Sequence, residues 1–88
     1  MQRFADDDAG YLNWISRNPD GYVVNTNRSP SPSYLILHRA TCRTIAESPT
    51  RGGRWTDQYI KLCGGRAELE RWAHEEVGGP LKPCAHCE

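Results

Sequence analysis

His38-Arg39-Ala40-Thr41-Cys42 and Pro83-Cys84-Ala85-His86-Cys87 are the stretches from which the fold is read. The first is His-x3-Cys and the second Cys-x2-Cys. Together they offer one imidazole and three thiolates, a full tetrahedral set for zinc. Two ligands a few residues apart can reach one ion from a single tight turn, and a second pair from elsewhere in the chain closes the tetrahedron. The spacing therefore predicts one structural Zn²⁺ held by His38, Cys42, Cys84 and Cys87. Pro83 fixes φ just before the second turn, so part of the ordering entropy is already lost in the unfolded chain.

A metal staple also answers a shortage. The chain has 88 residues, 38% of them hydrophobic and 9% aromatic. A single domain of this size buries only about 60–65% of its unfolded surface, and its core is marginal. Structural zinc in small fingers contributes roughly 10–16 kcal/mol, more than the whole stability of most domains. Four cysteines are also enough for two disulfides. The opening MQRFADDDAGYLNW has no apolar core of a signal peptide, and no run of apolar residues is long enough to span a membrane. The expectation is a cytoplasmic chain with reduced thiols, which favours metal over disulfides.

Working outward from the ligands, Tyr34-Leu35-Ile36-Leu37-His38 reads as a continuous apolar strand that ends on the first ligand. Before it, Gly21–Asn27 is a strand candidate, and Arg28–Ser33, with Pro30 and Pro32, is a loop. An aspartate N-cap among Asp6-Asp7-Asp8 and the apolar spacing of Tyr11, Leu12 and Ile15, with Trp14 beside them, predict a short amphipathic helix over residues 8–17. It is stopped by Asn18-Pro19. After Cys42, Arg43–Glu47 adds one helical turn, and residues 50–56 form a polar loop with Arg51, Arg54 and Trp55. Gln58–Cys63 is the third strand. Residues 66–77 form the second main helix, with Leu69, Trp72, Ala73 and Val77 as its apolar stripe and Gly78 at its end. The predicted fold is a small zinc-stapled α+β domain over residues 1–88, a three-stranded, mostly antiparallel sheet packed with two helices.

The order HRATC, strand, helix, PCAHC resembles the Ada-like zinc-binding domains over about residues 34–87. Those modules occur in DNA alkylation-repair regulators and appended to bacterial nucleases. The resemblance implies a DNA-binding module associated with restriction or repair. In the alkylation-repair member the first ligand is a cysteine that accepts a methyl group from a DNA phosphotriester. Here that position is His38, which has no thiolate to alkylate, so methyl transfer is not expected.

The remaining His and Cys residues have competing readings. Cys63, on a strand, packs as a small hydrophobe or replaces a ligand. His86 is the alternative imidazole to His38, and His74 reads as solvated. Three thiolates around Zn²⁺ leave a closed site of net charge −1, a poor Lewis acid, so the expectation is a non-catalytic site. A thioredoxin-like pair is not expected at Cys84-x2-Cys87, since that chemistry lowers a thiol pKa at a helix N-terminus and the one residue after Cys87 here, Glu88, offers no such start.

Net charge is zero but uneven: residues 28–66 carry +5 between acidic ends of −2 and −3. Arginine outnumbers lysine nine to two, which suits bidentate phosphate contacts. Arg28, Arg39, Arg43, Arg51, Arg54, Lys61 and Arg66 are the candidate phosphate contacts, and Trp55 or Tyr59 the candidates to stack on a base. The expected partner is nucleic acid, DNA first. The alternative is a protein-interaction adaptor whose acidic helix, with Glu68, Glu75 and Glu76, meets a basic partner. The bland counterpart of both is a solvated charged face.

Overall fold

Three consecutive aspartates set up the start of the molecule, each by a different contact. Asp7 caps the first helix: its Oδ1 accepts the Gly10 N–H at 2.9 Å. Asp6 takes the left-handed conformation, φ 55°, which Asp tolerates better than most residues. Asp8, already helical, reaches across to another segment, as described below. The computed structural model describes residues 1–46 and 55–85. Its elements are β1 (Gln2–Phe4), α1 (Asp8–Arg17), β2 (Tyr22–Asn27), β3 (Leu35–Arg39), α2 (Arg43–Ala46), β4 (Tyr59–Gly64), α3 (Arg66–Trp72) and β5 (Lys82–Pro83). Helix α3 continues into a wider π turn, Ala73–Val77, closed by Gly78 at φ 90°. Gly78 and Gly79 both donate their N–H to the Ala73 carbonyl, at 2.8 and 3.2 Å. Glycine reaches that backbone geometry without the Cβ penalty.

The α+β class is as expected; the sheet is not. Among the described residues it has five strands in the order β1-β4-β2-β3-β5. The β1/β4, β4/β2 and β2/β3 pairs are antiparallel and β3/β5 is parallel, so the sheet is mixed and larger than the three strands predicted. The two extra strands are three and two residues long. Such pieces are too short to carry a period-two pattern, and only their pairing defines them. Pro83 fits an edge strand because it has no ladder N–H to give.

Register explains the layering. Paired residues share a face and faces alternate along each strand. The rungs Cys63–Val23–His38 and Phe4–Lys61–Asn25–Ile36 therefore point one way, and Leu62–Val24–Leu37 and Ile60–Thr26–Leu35 the other. The first face is covered by Tyr11 and Ile15 of α1, Ile45 of α2 and Trp55. The second is covered by Leu69 of α3 and Ala73, with Trp72 and Val77 packed alongside. Three layers result, with the central strands buried on both faces. On α1 the buried stripe is narrower than predicted: Tyr11 and Ile15 are inside, while Leu12 is exposed.

Trp55 was expected in a polar loop and is instead buried. Asp8 causes this. Its carboxylate accepts the N–H of Trp55 at 3.0 Å and of Thr56 at 2.9 Å, and the Thr56 hydroxyl at 2.6 Å. That clamp holds the Trp55 ring against Tyr11, with centroids 5.9 Å apart.

Candidate metal centre

The ligand positions follow from strand pairing. His38 is on the face of β3 that α2 covers. Ala40 donates its N–H to Gly21 O and Cys42 its N–H to Arg39 O, both at 2.9 Å, and this turn swings the chain into α2. Cys42 thereby lands over His38. The parallel β3/β5 register places Lys82 beside Ile36 and Pro83 beside Leu37, so Cys84 falls on the next rung, beside His38. The Cys84 N–H donates to the Leu37 carbonyl at 2.9 Å and fixes that step.

These three residues converge. The ligand atoms of His38, Cys42 and Cys84 all lie within 4.8 Å of one another. His38 and Cys42 are buried and Cys84 is half-buried. Two thiols and an imidazole at that separation could hold a metal ion. An ion about 2.0–2.3 Å from each needs donors about 3.5–3.8 Å apart, so a small inward movement suffices. Cys87, the fourth expected ligand, and His86 lie outside the described residues.

Electrostatics suit the arrangement. Burial, with help from the Lys61 charge, pushes the His38 imidazole down to about 4. A neutral imidazole has a lone pair for a metal; an imidazolium does not. Cys63 is different. It is fully buried in the core and outside the converging group, and burial pushes its thiol up to about 12 despite the nearby Lys61 charge. A thiol held protonated that strongly is inert packing.

Thr44 is a participant that sequence reading did not single out. Its Oγ1 lies 3.1 Å from Cys42 Sγ, 3.3 Å from His38 Nδ1 and 3.8 Å from Cys84 Sγ. The hydroxyl has one proton to give, and a thiolate is the strongest acceptor in reach. Such outer partners orient ligands and typically change metal affinity 10–100-fold. The available signal was a hydroxyl residue two positions after Cys42, which is weak because most threonines in helical turns bond locally.

The candidate nucleic-acid contacts scatter. Arg39 and Arg43 are exposed, each next in sequence to a converging residue. Arg39 shares a crevice with Tyr22, Arg66 and Cys84. Arg28 is committed elsewhere: Nη2 meets Asp6 Oδ2 at 2.6 Å, and Nη1 donates to the Asp57 carbonyl at 2.6 Å. Arg51 and Arg54 lie outside the described residues. Tyr59 is half-buried with its ring 5.4 Å from that of Tyr34. Trp55 is buried, and Lys61 is 1% exposed. The Lys61 ammonium is inside the molecule, donating to Asn25 Oδ1 at 2.9 Å and the Trp55 carbonyl at 2.7 Å. Alternation in Tyr59-Ile60-Lys61-Leu62-Cys63 puts Lys61 and Cys63 on one face. What the sequence lacked was any sign that this face is covered too.

No protein-family model, curated protein or solved structure matches the chain.

Proposed function

We propose that the chain is a zinc-stabilised, non-catalytic module that binds nucleic acid, DNA first. The observation that carries this reading is the pair Arg39 and Arg43. Both are exposed, both adjoin converging residues, and neither has an ion-pair partner among the described residues. An arginine anchored beside a metal centre loses less freedom on meeting a phosphate than one on a free loop, and its fork suits two phosphate oxygens. The ligand order also agrees with the Ada-like pattern. Zinc is the metal of choice because nitrogen and thiolate donors in a four-coordinate site select it. His38, Cys42, Cys84 and Cys87 would hold it. Two, and with Cys87 three, thiolates leave little Lewis acidity, so the metal organises the surface rather than activating water.

The adaptor reading is weaker. Glu68 already accepts from the Met1 ammonium at 2.7 Å and from the Gly65 N–H at 3.3 Å, so of the three acids only Glu75 and Glu76 have no bonding partner among the described residues.

The test is fluorescence anisotropy of labelled duplex and single-stranded DNA with zinc-loaded protein across a salt series. Each phosphate contact contributes roughly −0.9 to the log–log slope on duplex. Replacing Arg39 and Arg43 by Ala should flatten that slope by roughly 2 and weaken binding similarly on every sequence. An unchanged slope in a folded double variant removes this surface. No binding at low salt removes the function.

A further inference from the structure

A cavity of about 160 Å³ lies on the same sheet face as the metal centre. His38 and Thr44 line it, so the two share a wall. Ile36, Ile45 and Trp55 supply apolar surface, and Asn25, Tyr34 and Lys61 supply polar surface. Its volume matches that of an engineered cavity of about 150 Å³ that accepts benzene. One six-membered ring fits within it.

The polar wall has more donors than acceptors. Lys61 Nζ donates to Asn25 Oδ1 and to the Trp55 carbonyl, and an ammonium carries a third proton. Asn25 Nδ2 gives one of its two protons to the Tyr34 oxygen at 3.2 Å, which leaves the Tyr34 O–H proton itself to be placed. Neither Tyr34 nor Asn25 has a further acceptor among the described residues. Donors that face the cavity suit a ligand that brings acceptors. Among the described residues the lining holds no carboxylate to accept from them.

We infer that this cavity receives a single pyrimidine ring, with its ring carbonyl oxygens on the Lys61–Asn25–Tyr34 wall and its faces against Ile36, Ile45 and Trp55. The ring has two possible sources: a free nucleoside, or an unpaired base of a strand held by the neighbouring arginines. Only the second source rests on the nucleic-acid reading above. Enzymes and readers that take a base out of the stack use pockets of this composition, apolar on the faces and hydrogen-bonding at one edge.

The experiment is a ¹⁵N-correlation titration of the zinc-loaded protein with uridine, cytidine and adenosine. It is followed by the same anisotropy assay with pyrimidine-only and purine-only single strands. Uridine and cytidine should shift the Asn25 side-chain amide and a tryptophan indole, and adenosine should not. Tyr34→Phe, which keeps the ring and removes the donor, should weaken nucleoside binding about tenfold. Ile36→Trp, at a half-buried position, fills the cavity and should abolish it. Absence of shifts to about 10 mM nucleoside overturns the inference, as do equal shifts with adenosine or binding that both folded variants leave intact. Strand binding with a normal salt slope but no nucleoside shift sinks the cavity and leaves the function standing. Nucleoside shifts without strand binding do the reverse and identify a free nucleoside as the ligand. A pyrimidine-strand preference that Ile36→Trp erases identifies the unpaired base.

Discussion

Lys61 concentrates the unusual electrostatics of this fold in one residue. Burial pulls its ammonium down to about 8, against partial support from Cys63 and Asp8, while burial pushes its neighbour Cys63 up to about 12. The two shifts act oppositely on stability. The ordinary values are 10.5 for the lysine and 9.0 for the thiol. Between pH 8 and 9 the unfolded chain keeps the lysine proton that the folded state releases, so stability rises with pH by up to about 1.4 kcal/mol per unit. Between pH 9 and 10.5 the unfolded thiol has lost the proton that the folded thiol keeps, which cancels the gain. Above 10.5 the thiol's effect remains and stability falls. Urea unfolding across pH 7.5–10 should show the rise and then a plateau. Lys61→Met should abolish the rise, and Cys63→Ala should let it continue past pH 9. A flat wild-type profile would mean the lysine is not buried as described. Thr26 offers a simpler case. Its Oγ1 is buried on the opposite face without a hydrogen-bond partner among the described residues. Thr26→Val removes that unmet group at nearly constant shape and should stabilise by about 1 kcal/mol, read as an increase in urea midpoint.

At the scale of elements, the bounds of α1 were legible to the residue, because its cap, the spacing of Tyr11 and Ile15 and the Asn18-Pro19 stop agree, though Leu12 lies outside the buried stripe. Which aspartate does what was not. Asp7 is an exposed cap, worth about 0.5–2 kcal/mol. Asp8 takes three hydrogen bonds from Trp55 and Thr56 and holds Trp55 in the core. Its loss releases a buried aromatic as well as charge-assisted bonds, and should cost about 3–5 kcal/mol. Asp7→Ala and Asp8→Ala, compared by thermal denaturation, should therefore differ by several-fold in their effect. Equal effects would show that the Trp55 segment is held by something else. The convergence of His38, Cys42 and Cys84 was legible because the pattern needs only residue types and spacing. The two edge strands were not, because β1 and β5 exist by pairing with β4 and β3, and pairing is a property of the folded chain. The same reason hid the cavity: Asn25, Lys61 and Tyr34 meet only through the β3-β2-β4 register.

For the whole molecule, the question is how much of the fold depends on the metal. His38, Cys42 and Cys84 bring the end of β3, the start of α2 and the chain after β5 to one point, where a metal ion could tie them. The core is divided unequally around that point. One cluster includes Cys42 and Cys84, with Ile45 and Trp55; the other, built on Val24, Leu35, Leu37, Ile60, Leu62 and Leu69, contains none of the ligands. The β4/β2/β3 ladder, with six and five residue pairs, is held by that second cluster and by its own hydrogen bonds. By contrast β5 contributes two residue pairs and the Cys84 N–H bond. Chelation should therefore lower the melting temperature by about 10 °C or more, since each kcal/mol is worth roughly 4–8 °C in a domain of this size. It should also act locally. Hydrogen exchange in the stripped protein should lose protection at Cys84 and through α2 while Val24 and Leu62 stay protected. Small zinc fingers behave otherwise and unfold entirely without metal. Simultaneous loss of protection at all of these amides would place this domain with them. It would mean that the sheet's second face cannot hold the fold unaided.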